Sequence, residues 1–570
     1  MLVFRDAERR SDTQTEFAGL DGLLRRLADA GDRELATEAL IESGMLEAAI
    51  IDSINPDQDR FAGREAAWRE LTLETAKLFR SSRRCAQADT RRHARAARRA
   101  LAWAMRTCKA GPITLTTPGG YAWCALYPET YLEAAEQFLA SSSPLPTVVI
   151  GLRGIGASLS AVVAAAVAAG GREVESLTLR PRGDPCDRQV RFDTRLSTHL
   201  RRRAEAGAWF LVVDEGPGLS GSSFAGTATA LNAIGAGDEQ IVLFPSVVPH
   251  ASRLRSPEAR SRWSRHRKLQ VGFESRREVL APGLTQARDL SGGLWRQVLA
   301  PDSGRPPVAP QHERRKYLSP DGAVVFRYAG LGRSGHARLA RAEALANAGF
   351  TAEPKSFADG FLGTAFVPGQ SLHRARRSPE AIANAVRYLG WLGRNAQTGE
   401  AVAGDELQPM IRRNVELSLG QSGSDRLSGL DAWRVRLAGV PRVAIDGRLS
   451  PHEWIRSRDG RLYKADALDH HDDHFLPGAT DLAWDVAGLA IEWGLTEADG
   501  RDFAQAVASE AGDPALTQRL PYYETAYLAF RTGWAQLAAE SMVESGDRSR
   551  LERYVLRYRA ALDRALTRMA

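Results

Sequence analysis

Cysteine is scarce in this chain of 570 residues: Cys85, Cys108, Cys124 and Cys186 are all there is, widely spaced and without a CxxC pair. So few thiols cannot staple a chain of this length, and a reducing cytoplasm is the expected compartment. Long apolar runs are missing too. The longest, Ala157 to Ala169, is interrupted by serine and too short to cross a bilayer, and the amino terminus turns charged after four residues. Neither a membrane partner nor secretion is expected. One-sided charge is also absent: 76 Lys and Arg against 69 Asp and Glu leave +7, short of what a dedicated nucleic-acid protein carries. What is present is an ordinary globular composition, 44% hydrophobic and 25% charged, enough to bury cores. The length sets a ceiling of about four domains, with two or three expected.

Residues 1–109 are rich in Ala, Leu, Glu and Arg at helical spacing and read as a helical amino-terminal region. Arg91, Arg92, Arg95, Arg98 and Arg99 fall on one face of such a helix. A solvated or ion-paired face is the preferred reading over an RNA-binding one, and the basic stretch from Arg253 to Lys268 is read in the same way. From 110 to 296 short, continuous apolar strands alternate with Ala-rich helices, the pattern of a parallel sheet with crossover helices. Residues 297–316 carry four prolines and read as a connector. From 317 to 570 a few strand-like pieces precede mostly helical sequence. The fold class is therefore multidomain α/β and α+β.

The most informative segment is FLVVDEGPGLSGSSFAGTAT, Phe210 to Thr229, in which a buried strand ends in Asp214 and Glu215, a turn follows, and a helix begins. A turn of Gly218, Leu219, Ser220, Gly221, Ser222 and Ser223 at a helix amino terminus offers backbone N–H groups and hydroxyls to a phosphate. The two acids upstream suit ribose hydroxyls. Here the sequence resembles the type I phosphoribosyltransferases, whose signature is an apolar strand, two acids, a short Thr/Ser-Gly turn and a helix; the turn is one residue longer here and has serines for threonines. The resemblance spans roughly residues 110 to 290. It implies a pyrophosphate-gripping loop at Leu152 to Ser158, with Arg153, Gly154 and Gly156, and a mobile loop at Arg180 to Arg191. It further implies that Asp214 and Glu215 hold the ribose while Mg2+, Arg153 and one of Arg180, Arg182 or Arg188 stabilise departing pyrophosphate. The bland alternative is a glycine-rich surface turn after a core strand. A hydrolase nucleophile at Ser220 is disfavoured, because the GxSxG spacing is missing, and Cys124 reads as a packed thiol. The segment Tyr121 to Tyr131, where an acceptor would bind, carries no legible signature.

Beyond the connector, AVVFRY, RAEALANAGF, FLGTAFVPGQSL and DLAWDVAGLAIEW resemble, in order, the aminoglycoside-phosphotransferase and choline-kinase branch of the protein-kinase-like fold. That resemblance implies a two-lobed domain with Arg327 in the nucleotide-pairing position, Glu343 as its helix partner, and a catalytic segment at DGRLSPHEWI, Asp446 to Ile455. Arg448 then stands where the family carries its catalytic aspartate and Glu453 where it carries a metal-binding asparagine. Asp466 is left as a second metal ligand and Asp485 as a structural acid. ATP is the nucleotide such a domain would take. The cluster His470, His471, Asp472, Asp473 and His474 has metal-ligating residue types, but adjacent positions cannot all face one ion. An exposed polar loop, or histidines paired with acids, is preferred, and the narrower metal reading keeps Mg2+ on Asp466 and Asp469.

The leading expectation is Mg2+-dependent transfer from phosphoribosyl diphosphate to an unidentified small-molecule acceptor, with the kinase-like domain binding or scaffolding. The alternatives are a small-molecule phosphotransferase with its chemistry in the carboxy-terminal domain, and a silent sensor of phosphoribosyl diphosphate. The acceptor, the coupling of the domains and the oligomeric state are not legible.

Overall fold

The computed structural model describes residues 1, 7–299, 306–373, 378–473, 476–543 and 545–569. His474 and part of the proline-rich connector therefore lie outside the described residues. The chain forms two compact units, one of Glu8–Thr285 with Gly330–His336, the other of Met1–Ala7, Gln286–Ala329 and Ala337–Ala570.

In the first unit, strand β1 (Glu8–Asp12) pairs antiparallel with β2 (Pro112–Thr116), and four helices lie between them, Thr13–Ala30, Arg33–Ile54, Gly63–Arg83 and Gln87–Met105. Asp12 and Asp32 start the first two of these by accepting amides of the opening turn. Then follow β3 (Thr147–Leu152), β4 (Val174–Leu179), the hairpin strands β5 (Arg182–Asp184) and β6 (Asp187–Gln189), β7 (Trp209–Val213), β8 (Ile241–Phe244) and β9 (Arg267–Lys268). Five of them form one parallel sheet in the order β4-β3-β7-β8-β9. Alternate residues serve opposite faces, as the two-residue period of a strand requires. Val149, Leu211 and Val213 pack with Leu159, Val162 and Phe138, whereas Val148, Phe210 and Val212 pack with Leu200, Phe224 and Leu231.

The expected boundary after residue 109 falls inside this unit. The reason is the helix Gly156–Ala169, which is Ala- and Val-rich and buried nearly all round, so the sheet alone cannot cover it. Leu40, Ile41, Ala76 and Phe79 of the amino-terminal helices supply the second cover. The arginine face of Gln87–Met105 turns outward, with Arg91, Arg92, Arg95 and Arg99 exposed and Arg98 paired to Asp21 at 2.8 Å.

The second unit begins earlier than expected, because β10 (Arg288–Asp289) pairs with β11 (Lys316–Leu318) at the edge of an antiparallel sheet. Its order is β10-β11-β12-β14-β13, with β12 (Val324–Tyr328), β13 (Pro354–Ala358) and β14 (Phe361–Ala365). Strand β15 (Gly369–Ser371) joins β18 (Trp454–Ser457) and β19 (Leu462–Lys464), and β16 (Gln397–Ala401) pairs with β17 (Pro441–Val443). The remainder is helical, chiefly Pro379–Asn395, Ala483–Trp493, Glu497–Ala511, Leu516–Glu540 and Gly546–Met569, around a core containing Trp454, Trp484 and Trp493. Among the described residues no helix is long and apolar enough to cross a membrane.

Candidate functional site

In the first unit β3 and β7 are neighbours, but the chain leaves β3 toward β4 on one side and reaches β7 on the other. Strand order therefore reverses between them, and in an open parallel sheet the loops at such a point diverge and leave a crevice at the carboxyl ends of the strands. Both sequence-nominated loops open there: Gly151 of β3 is in register with Val213 of β7, so Leu152–Gly156 and Asp214–Ser222 emerge side by side.

Glycine permits that closeness. A Cβ on Gly156 would lie 2.7 Å from the Val213 carbonyl oxygen and 3.4 Å from Asp214 Oδ1. Gly221 takes φ +74° as it caps the helix Ser222–Ala233, a conformation that side chains rarely adopt. Among the described residues, the amides of Gly154, Ile155 and Gly156 have no hydrogen-bond acceptor, and neither do those of Gly218, Leu219, Ser220 and Ser223. Two sets of unspent donors thus flank one carboxylate.

Asp214 Oδ1 accepts the Glu215 amide at 2.9 Å, and the Tyr131 hydroxyl donates to the Asp214 carbonyl at 2.7 Å. Burial pushes the Asp214 carboxyl up to about 7; the Glu215 charge adds to this, while the Glu215 amide, Arg180 and Arg188 oppose it. Glu215 is oriented differently from the expected ribose clamp. Its Oε2 accepts the Gly120 amide at 3.1 Å, and Cys124 also bonds its carboxylate, whose pKa burial raises. Gly120, Cys124 and Tyr131 thus join the site, although nothing in their sequence marks them beyond a Gly-Gly pair beside aromatics.

The arginines divide. Arg153 does not present its guanidinium to the crevice, in contrast to the expectation: its side chain is fully buried, with Nε on Asp52 at 2.6 Å, Nη1 on the Thr178 carbonyl at 3.0 Å and Nη2 on Asp59. Arg182 is likewise committed, to Asp59 at 3.0 Å and to the Asn55 and Pro56 carbonyls. Arg180 is half-exposed, pairs with Asp52 at 3.3 Å and donates to the Arg153 carbonyl at 2.7 Å, and Arg188 donates to the Pro181 carbonyl at 3.1 Å; the charge of both reaches Asp214. The segment expected to be a mobile loop is the β5–β6 hairpin, which lies on the helix that follows the serine turn. The Ser222 hydroxyl donates to the Pro185 carbonyl at 2.7 Å, and the Arg188 carbonyl abuts Gly226, where a Cβ would be 2.0 Å away. Ser220 and Ser222 hydroxyls bond each other at 3.0 Å.

These groups give a pH signature. Between the ordinary carboxylate range and about pH 7 the folded chain keeps a proton on Asp214 that the unfolded chain has lost, so this group's contribution to stability falls as pH rises through that window. A ligand that needs the carboxylate ionised binds more tightly over the same window, by up to about tenfold per pH unit, and levels off above about pH 7. Calorimetric titration with Mg2+ and phosphoribosyl diphosphate, repeated on Asp214→Asn, is expected to show this rise in the native chain and to lose it in the variant.

The second unit holds the kinase-like candidates around one cavity of about 180 Å³, lined among others by Trp295, Lys316, Arg327, Arg448, Glu453 and Asp466. Asp485 accepts the amides of Asp446 and Gly447 at 2.7 and 2.8 Å, which shapes the loop as a structural acid does. Glu343 does not meet Arg327. It is exposed, and Arg327 Nη2 instead contacts Asp469 at 2.5 Å and Asp466 at 3.0 Å. Arg448 pairs with Glu453 at 3.2 Å, and buried Lys464 sits 3.2 Å from Asp446 and 3.1 Å from Glu453. Burial drives the His452 pKa down to about 4, so this ring is neutral where it stacks on Trp295.

Asp466, Asp469 and His470 place one ligand atom each within 4.8 Å of one another. Their oxygens are already matched by cations, however: Asp469 by Arg327 and by Arg314 at 2.8 Å, Asp466 by Arg327 and, at 3.7 Å, Lys316. Burial alone would raise the Asp466 carboxyl; Arg327 and Lys316 instead hold it well below the usual range. The metal expected on Asp466 and Asp469 does not fit a cluster whose charge arginine has met. Asp472 pairs with Arg338 at 3.0 Å and Asp473 with Arg314, so these two acids meet arginines, while the buried His470 lies 3.4 Å from Asp446 and 3.7 Å from Asp466.

No family model matches the chain, and no curated protein matches it. Solved structures resemble about half of it. A choline/ethanolamine kinase family protein from Mesorhizobium loti is 18% identical over 52% of this chain and 98% of that one, with a TM-score of 0.35. Choline kinase LicA from Streptococcus pneumoniae is 17% identical over 44% and 90%, with a TM-score of 0.31. A Plasmodium vivax ethanolamine kinase is 10% identical over 56% and 93%, with a TM-score of 0.35. At such scores these likenesses are remote.

Proposed function

We propose that the crevice between β3 and β7 binds phosphoribosyl diphosphate and transfers its phosphoribosyl group to a small acceptor. The solved structures named above are kinases, so the support for this reading is the chain's own geometry. The observation that carries it is the pair of unspent amide sets, 154–156 on one side and 218–220 with Ser223 on the other, beside Asp214 at the point where strand order reverses. A molecule with a phosphate at one end, a diol in the middle and a diphosphate at the other matches that order of groups. The serine-turn amides take the 5-phosphate, Asp214 accepts from the ribose hydroxyls, and the 154–156 amides with Arg180 and Arg188 face the diphosphate. Glu215, tied to Gly120 and Cys124, shapes the acceptor side.

In the reaction the bond from C1 to the pyrophosphate oxygen breaks as the acceptor bonds to C1, and pyrophosphate leaves with the electron pair. The Asp214 carboxylate would hold Mg2+, and the ion would supply charge neutralisation. Fixed amides and two arginines stabilise the leaving group without reorganising.

The test is a pyrophosphate-release screen on the full chain with phosphoribosyl diphosphate and Mg2+ across bases, amines and water. Release with one acceptor class is expected. Tight binding without release turns the reading into a sensor of the same ligand, and neither binding nor release overturns it. A second reading, phosphoryl transfer in the other unit, is favoured by the enclosed cavity with Asp466 and Lys464 on its wall. An ATP-dependent product that survives Asp214→Asn and is lost in Asp466→Asn would select it.

A further inference from the structure

The cavity of the second unit is short of acceptors. Arg327 is 8% exposed, and among the described residues its Nε and Nη1 have no hydrogen-bond partner. A buried donor left unmet costs about 1–3 kcal/mol, so native chains rarely keep one that nothing ever satisfies. Glu453 Oε1 and Asp466 Oδ1 also lack a well-aligned hydrogen bond, yet each has a cation close by, Arg448 Nε at 3.2 Å and Arg327 Nη2 at 3.0 Å. The unmet demand is therefore for hydrogen-bond acceptors facing a guanidinium. Among the cations of the wall, Lys464 is enclosed by Asp446 and Glu453, and Arg327 meets Asp466 and Asp469 through Nη2 alone, so its Nε and Nη1 remain the unspent donors, and His452 is neutral. The acids that a divalent cation would need are already paired with cations, while Arg448, one-third exposed beside Glu453, places a fixed positive charge in the cleft. Most of the rest of the wall is apolar, with Val325, Leu362, Phe366, Ile455 and Leu468, broken by Thr351, Thr364 and Tyr463.

We infer that this cavity binds a small organic anion, a carboxylate or phosphate on an apolar body, through Arg327 and Arg448 and without a divalent metal. The guanidinium fork suits both anions because each offers two oxygens in one plane, and the apolar wall takes the body. Nothing in this inference depends on the phosphoribosyl reading, which concerns the other unit.

Isothermal titration of the full chain with phenyl phosphate and with benzoate, in EDTA and again in MgCl2, tests it. Saturable binding of at least one probe in EDTA is expected, with less than a twofold change on adding Mg2+. Preference for phenyl phosphate assigns the natural ligand to the phosphates, preference for benzoate to the carboxylates, and equal binding to anions of either kind. Arg448→Gln is expected to weaken binding at least fivefold with an unchanged melting temperature, because Arg448 is partly exposed; Arg327→Gln should weaken it further. Heats that are absent for both probes, that require Mg2+, or that persist unweakened in both variants overturn the inference. The last outcome also covers phosphate captured by the serine turn of the other unit.

Discussion

Arg153→Met is expected to lower the melting temperature of the chain by roughly 10 °C. Arg153 and Asp59 are both fully buried, and Asp52 and Asp59 share the guanidinium. Removing one partner of a buried ion pair leaves the other charge uncompensated, at a cost of about 3–5 kcal/mol; each kcal/mol moves the midpoint by about 2–4 °C in a domain of this size. Arg182, still 3.0 Å from Asp59, places the loss toward the lower end of that range. The contrary assignment, in which Arg153 grips pyrophosphate, makes the opposite statement. Removal of a substrate-facing cation would leave the midpoint unchanged and weaken substrate binding instead. Thermal unfolding followed by circular dichroism separates the two.

The second large effect belongs to Asp214→Asn, which preserves size and the fold of the loop but removes the carboxylate between the two amide sets. Hydrogen bonds to a charged acceptor are worth about 1.5–3 kcal/mol, and on the proposed reading a ribose diol would make two of them to Asp214. Pyrophosphate release should fall by about 100-fold or more with the melting temperature held or raised, since a carboxyl whose pKa stands near 7 destabilises the folded chain when ionised. A fall in activity accompanied by unfolding would instead place Asp214 among the structural acids.

Much of the first unit could be read from the sequence because local signals agreed. Apolar runs at 147–151 and 209–213 are what strands buried on both faces require, the edge strand at 174–179 is more mixed, and the serine turn sits between strand and helix as its composition suggested. The side-chain partners could not be read. Asp59 and Asp52 lie 94 and 101 residues from Arg153, on a helical segment that looked like a separate domain. An arginine next to two glycines therefore looked free for substrate. Glu343 illustrates the same limit in the second unit. Its spacing on a helix allowed a bond to Arg327, whereas the acids that meet Arg327 are supplied from 142 residues away by Asp469 and from nearby Asp466. The departures in DGRLSPHEWI were legible as residue types. Their consequence, a cleft whose carboxylates are already matched by Arg327, Arg448 and Lys464, needed distances.

The central claim is that the ends of β3 and β7 hold a phosphorylated pentose. The most direct measurement is a crystal structure of the full chain soaked with phosphoribosyl diphosphate and Mg2+. The account expects the 5-phosphate on the amides of 218–223, the ribose hydroxyls on Asp214 and the diphosphate beside the 154–156 amides. Density for the ligand elsewhere, or an empty crevice at saturating concentration, would contradict it.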